Sequence, residues 1–101
     1  MTMVSASVIQ TKAVSITATP QTLVQLGFTQ AEVDASDIAM ITVESACRFI
    51  VGGSVVVSAT VGHYLTAQID REFPGRAIIG GLKLIRIGGS NIVGFVTLAR
   101  M

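Results

Sequence analysis

Leu82-Lys83-Leu84-Ile85-Arg86-Ile87-Gly88-Gly89-Ser90-Asn91-Ile92-Val93-Gly94-Phe95-Val96-Thr97-Leu98-Ala99 is the stretch that decides the fold of this chain. Two runs of branched, aliphatic and aromatic residues flank a Gly-Gly-Ser-Asn segment, in which positive φ is cheap only for Gly and Asn. The pattern predicts two strands, Leu82–Ile87 and Ile92–Ala99, joined by a hairpin turn. Working upstream, the same punctuation recurs. Strands are expected at Ile38–Glu44, Ala46–Val51, Val55–Thr60, Tyr64–Phe73 and Ala77–Ile79, with Gly52-Gly53-Ser54, Pro74-Gly75 and Gly80-Gly81 falling between runs. Short strands at about ten-residue spacing argue for an antiparallel β-sandwich or a jelly-roll-like barrel.

Nearer the start, Val14, Ile16 and Ala18 alternate with Ser15, Thr17 and Thr19, the two-residue period of a half-buried strand that Pro20 ends. Val4, Ala6 and Val8 alternate with Ser5, Ser7 and Ile9, so residues 1–12 read either as a short strand or as an extended N-terminal arm. Thr22–Leu26 reads as another short strand turned by Gly27. Thr29 stands three residues before Glu32, the spacing of a capping box, and predicts one brief helical turn ending by Asp37. The expectation is an all-β single domain over residues 1–101 with at most one short helical turn.

At 101 residues there is room for one core. Half the residues are hydrophobic and 13% are charged, against roughly 25% charged in a typical soluble domain, which excludes intrinsic disorder. A net charge of +1 supplies no field for a polyanion, so neither nucleic acid nor an acidic membrane surface is an expected partner. Cys47 is the only cysteine, so no disulfide forms within one copy. Ser5, Ser7, Gln10 and Thr11 interrupt the opening residues, and no secretory leader is expected there. Gly, Ser, Thr or charge breaks every later apolar stretch, so no membrane-spanning helix is expected either.

Several strands are apolar on both faces. In Leu82–Ile87, Leu82 and Leu84 oppose Ile85 and Ile87. In Ile92–Ala99, Ile92, Val96 and Leu98 oppose Val93, Phe95 and Ala99, and Ile38–Glu44 shows the same excess. A sandwich strand ordinarily wets one face, and a domain this small buries only about 60 to 70% of its unfolded surface. Such strands are either wholly internal or face partner subunits, and the second alternative makes Ile85, Ile87, Val93 and Phe95 candidate interface residues. Asp70-Arg71-Glu72-Phe73-Pro74-Gly75-Arg76 is the densest charged stretch. It is either a contact loop presenting Arg71 and Arg76 or a hydrated hairpin end. Four of the six acids lie at Glu32, Asp34, Asp37 and Glu44, and five of the seven bases at Arg71, Arg76, Lys83, Arg86 and Arg100. This asymmetry suits ordered contacts between copies or two solvated loops.

No pattern points to catalysis. His63 has no nucleophile or orienting acid beside it in sequence. Cys47 shares strand parity with Phe49 and Val51 and reads as a small core side chain. One His and one Cys sixteen positions apart do not make a zinc spacing. The Gly-Gly pairs lack the Lys-Ser/Thr sequel of a phosphate loop. Neither cofactor nor metal is expected. A ligand- or glycan-binding β module remains a second reading, with His63, Tyr64 and the Asp70–Arg76 loop as its candidate residues.

Cys47-Arg48-Phe49 in a mid-chain strand before a glycine turn, Gly62-His63-Tyr64-Leu65 opening a later strand, Leu82-Lys83-Leu84-Ile85-Arg86-Ile87-Gly88 and the closing Gly94-Phe95-Val96-Thr97 together resemble a group of small β-sandwich proteins encoded among the structural genes of tailed bacteriophages. The resemblance spans Ile38 to Arg100. It implies a non-enzymatic virion component, assembled in the bacterial host cytoplasm. The type implied is a capsid cement or decoration protein bound to the major capsid protein lattice, a homo-oligomer, or an accessory piece of the neck or tail.

Overall fold

The computed structural model describes residues 7–53 and 55–101. Among these described residues, eight strands form two four-stranded antiparallel sheets. β1 (Ser7–Ile16), β8 (Ile92–Arg100), β3 (Ile38–Val43) and β6 (Arg71–Pro74) make the first sheet in that spatial order; β2 (Gln21–Thr22), β7 (Leu82–Arg86), β4 (Cys47–Val51) and β5 (His63–Leu65) make the second. The chain is a β-sandwich. Its core is the interdigitated inner faces: Val14, Ile16, Ala39, Ile41, Val43, Val96 and Leu98 from the first sheet meet Cys47, Phe49, Leu65, Leu82 and Leu84 from the second. Phe49 and Phe73 join the layers directly, edge to face, with ring centroids 5.1 Å apart. That geometry is worth about 0.5–1.5 kcal/mol beyond the area it buries.

The first-sheet register follows from two-residue alternation. Gly94 stands opposite Val14 and Val43 on the inner face, while Phe95 stands opposite Ala13 and Thr42 on the outer. β1 is longer at its start than the Val14–Ala18 alternation predicts. Residues 7–12 are its first half, with a register shift between Val8 and Gln10, and do not form an extended arm. The remainder of the expected arm, residues 1–6, lies outside the described residues. Of Thr22–Leu26 only Thr22 is in a strand. The rest turns, with Leu26 N–H donating to the Thr22 carbonyl and Phe28 N–H to Leu23.

The Thr29 capping box forms as predicted and opens α1 (Gln30–Ala35). Thr29 Oγ1 accepts from Glu32 N–H at 3.1 Å, and Glu32 Oε1 accepts from Thr29 N–H at 2.9 Å. That backbone donation, before any other influence, holds the Glu32 carboxyl below its ordinary 4.5.

Gly88–Asn91 does not close the expected hairpin, because β7 and β8 lie in different sheets and the segment crosses between them; three expected strands also differ, each for a topological reason. Ala77–Ile79 lies in a second short helix, α2 (Arg76–Gly81), so the structure has one helix more than expected. β6 belongs to the first sheet and β7 to the second, so the seven residues between them must cross the layers instead of pairing, and Ile79 is buried in doing so. Tyr64–Phe73 divides into β5 and β6, one in each sheet, with the chain turning at Gln68 (φ 61°), whose N–H donates to the Val43 carbonyl. Val55–Thr60 is not a strand. β4 already has β5 and β7 on its two edges, so this valine-rich run has no vacant edge there to join. It folds as a loop in which Arg48 donates to the Ala59 and Gly62 carbonyls at 3.2 and 3.0 Å.

Gly62 is the residue on which that loop closes. Its φ is +129°, and a Cβ there would lie 2.8 Å from Val57 Cγ2 and 3.0 Å from the Phe49 carbonyl oxygen. Gly62→Ala is therefore expected to lower stability by about 2 kcal/mol or more, from backbone strain and overpacking together. Gly88→Ala, with nothing near the new methyl, is expected to be neutral to slightly stabilising. Urea midpoints of the two variants check the contrast.

A second expectation concerns acid. Because the folded pKa of Glu32 is depressed, its carboxylate contributes stability that is whole above 4.5 and is lost as pH falls through the lower folded value. Glu32→Gln should therefore be less stable than the wild type at neutral pH and converge on it in acid, as followed by thermal unfolding across pH.

Candidate assembly surface

The six candidate interface residues do not share one surface. Ile85 is 5% exposed and belongs to the chain's own packing, which corrects its assignment to an outward patch. It pairs across the sheet with Arg48 on the outer face of β7 and β4, the face over which Arg48 pins the 55–62 loop. A small domain covers this second apolar face with its own loop, an economy that strand periodicity does not reveal. Ile87, just past β7, is half-buried.

Arg71 lies at the side opening between the sheets, with its guanidinium 5.3 Å from the Phe49 ring centroid and 5.5 Å from that of Phe73. It caps the aromatic pair by cation–π attraction. Arg76 opens α2 with its side chain 67% exposed, and its Nε lies 3.8 Å from Asp37 Oδ1, a surface pair of little energetic weight.

Val93 and Phe95 remain. They are 46% and 45% exposed, side by side in strand parity on the outer face of the first sheet. Their cross-strand neighbours are Ser15 and Ala13 on β1, and Thr42 stands beside Phe95 on β3. Thr11 and Thr97 share a hydroxyl hydrogen bond of 3.0 Å on the same face, and Val8 extends it, well exposed. Across β1, β8 and β3 no side chain of this face is charged. Charge appears only at its border, where Glu44 follows β3 and Glu72 pairs with Met40. Asp70 accepts a hydrogen bond from Thr42 Oγ1 beside them. The arrangement is an uncharged centre, in which Val93 and Phe95 stand among small and hydroxyl side chains, with an acidic margin along the β3–β6 side; an uncharged centre with a charged rim is a layout that protein contacts use. The sequence gives Val93 and Phe95 away by parity. It does not give the acidic margin, because Glu72 reaches that border only through the pairing of β6 with β3.

The residues considered for a ligand site diverge. His63 stacks on Phe49 at 5.3 Å between centroids, whereas Tyr64 takes the opposite parity, with Arg48 5.6 Å from its ring. Among the described residues, no group of three or more His, Cys, Asp and Glu side chains stands together. A hollow of about 230 Å³ between the β2 turn, α1 and α2 is lined by Leu23, Val33 and Ile79 with Thr22, Gln25 and Gln30 at its mouth. It holds no ionisable side chain and is smaller than the roughly 300–1,000 Å³ of ordinary small-molecule sites.

Compared with protein-family models, with curated proteins and with solved structures, the chain finds no match.

Cys47 is wholly buried, and burial pushes its thiol up to about 11. The thiolate fraction at neutral pH is correspondingly small. Iodoacetamide should leave the folded protein unmodified at pH 7.5 and alkylate it quantitatively in denaturant, as read by intact mass.

Proposed function

We propose that this chain is a non-enzymatic structural protein of a tailed-phage virion, a cement or decoration subunit that docks on the capsid lattice through the outer face of its first sheet. The observation that carries this reading is the uncharged face bearing Val93 and Phe95, left open by a sandwich whose other sheet is covered by its own loop. A domain that makes outward contacts for a living needs such a face and has no use for convergent ionisable groups. The acidic margin of Glu44, Asp70 and Glu72 suits a partner surface with an apolar centre and basic residues at its rim. It disfavours stacking of this face on the same face of a second copy wherever the two acidic margins would meet. The resemblance of Ile38–Arg100 to small phage sandwich proteins supports the virion setting. A neck or tail position would use the same face.

Charge placed on the open face should separate docking from folding. Phe95→Glu and Val93→Glu are expected to stay folded, with losses of about 1 kcal/mol or less for exposed positions, and to disappear from purified particles. Ile85→Glu should instead unfold the chain, because an unpaired buried carboxylate costs several kcal/mol out of a total of about 5–15. Thermal unfolding of each variant and quantitative mass spectrometry of purified virions give the two readouts. Absence of the wild-type chain from virions, or full occupancy by Phe95→Glu, would sink the proposal.

A further inference from the structure

Each sheet of the sandwich has two edges, and they differ sharply. β2 and β5 are two and three residues long, and β6 has four residues that include Arg71, Glu72 and Pro74. Short length, charge and proline are the usual devices that stop an edge from pairing with another chain. β1 runs for ten residues, contains no proline, and carries one charge, Lys12. That charge does not guard the edge. Its ammonium is drawn to the inner side, where it donates to the Gly27 carbonyl at 2.7 Å and lies 5.7 Å from the Phe28 ring centroid.

The direction of the backbone groups on β1 follows from its ladder. In an antiparallel pair, alternate residues turn their N–H and C=O toward the partner strand and away from it. Thr11 N–H is occupied by the side chain of Gln10 at 3.1 Å and not by β8, and its hydroxyl meets that of Thr97, as in a pair whose backbone groups point outward. The Val93 carbonyl on β8 is directed at Glu44 next to β3, so its β1 neighbour, Ser15, is also in an outward-facing pair. Ala13 and Ser15 therefore present N–H and C=O groups, and Thr11 its C=O with an N–H held by the Gln10 side chain, along an edge that has no strand beside it among the described residues. The regular stretch of that edge runs from Gln10, just past the register shift, to Ile16, after which the Thr17 carbonyl accepts from Arg86 N–H of the other sheet. Its midpoint is Ala13.

We infer that β1 pairs antiparallel with β1 of a second copy about a twofold axis at Ala13, joining two first sheets into one continuous eight-stranded sheet. Ala13 meets Ala13 of the second copy, and Thr11 meets Ser15. The outward N–H and C=O of Ala13 and Ser15 then find partners, and the Thr11 N–H exchanges the Gln10 side chain for the Ser15 carbonyl of the second copy. The sequence is self-complementary in this register. Lys12 falls opposite Val14, so the one charge of the strand never meets itself, whereas a parallel in-register pairing would set Lys12 on Lys12. On the outer face the small Ala13 side chains sit between the two copies of Phe95, so the uncharged surface runs across the junction unbroken. The pairing uses the edge of the sheet and not its face; it goes beyond the docking reading and does not depend on it.

Light scattering of the purified protein, with chromatography over a concentration series, tests the pairing. The wild type is expected at twice the chain mass of 10.5 kDa. Ala13→Pro removes an outward N–H without touching the β1–β8 ladder and should give a folded monomer. Ala13→Lys sets two ammonium groups against each other across the axis and should also give a monomer, with a dimer returning when it is mixed with Ala13→Glu. The Lys and Glu variants keep the experiment decisive if the proline variant unfolds. A wild type that stays monomeric at every soluble concentration, or an oligomer that survives Ala13→Lys, would overturn the inference. Failure of Phe95→Glu to occupy virions, with its dimer intact, bears only on the docking face.

Discussion

β8 is the strand on which the first sheet depends. It is paired along one edge with β1 and along the other with β3, so its backbone has nothing left to offer and only its two faces remain to act. The inner face, with Val96 and Leu98, is committed to the core, and Gly94 leaves the space into which Val14 and Ile16 pack, their methyl carbons lying 3.4 Å from where its Cβ would be. The outer face has no layer above it at Val93 and Phe95. An apolar outer face on a doubly paired strand persists without an edge to invite indiscriminate pairing, and its side chains are held in place by ladders on both sides.

The second sheet solves the same problem differently. Its strands are short, and its outer face at Ile85 and Arg48 is closed by the chain's own 55–62 loop, with Val57 buried and Gly62 seated too tightly to accept a side chain. One side of the sandwich is covered within the monomer and the other is open at Val93 and Phe95. The polarity of the molecule comes from this difference in covering and not from its net charge.

Much of this was legible in the residues. Alternation located β1, β3, β4, β7 and β8 to within a few residues at most ends, and Thr29 with Glu32 gave the start of α1 because a capping box is a strictly local device. What local pattern could not show was which sheet a run would join. Ala77–Ile79 has strand composition yet bridges the two layers, and Val55–Val57 has strong strand propensity yet finds no vacant edge, because pairing is decided by distant partners. The same limit explains the candidate residues. Two-sided apolarity marked both Ile85 and Phe95, but only the path of the 55–62 loop distinguishes a side chain covered from within from one left open.

The most extensive ladder in the molecule, β1 with β8, joins residues 7–16 to residues 92–100. A chain leaving the ribosome therefore holds this strand, and with it the inner residues Val14 and Ile16, unpartnered until residues 92–100 have been made. Closing so long a loop carries an entropic cost that is recovered only when the final strand arrives, which places the chain among the slower-folding topologies. The nascent protein must keep an unpaired, β-prone segment soluble until β8 is made, and the frequent Ser, Thr and Gln along Ser7–Ser15 are what its sequence provides for that interval.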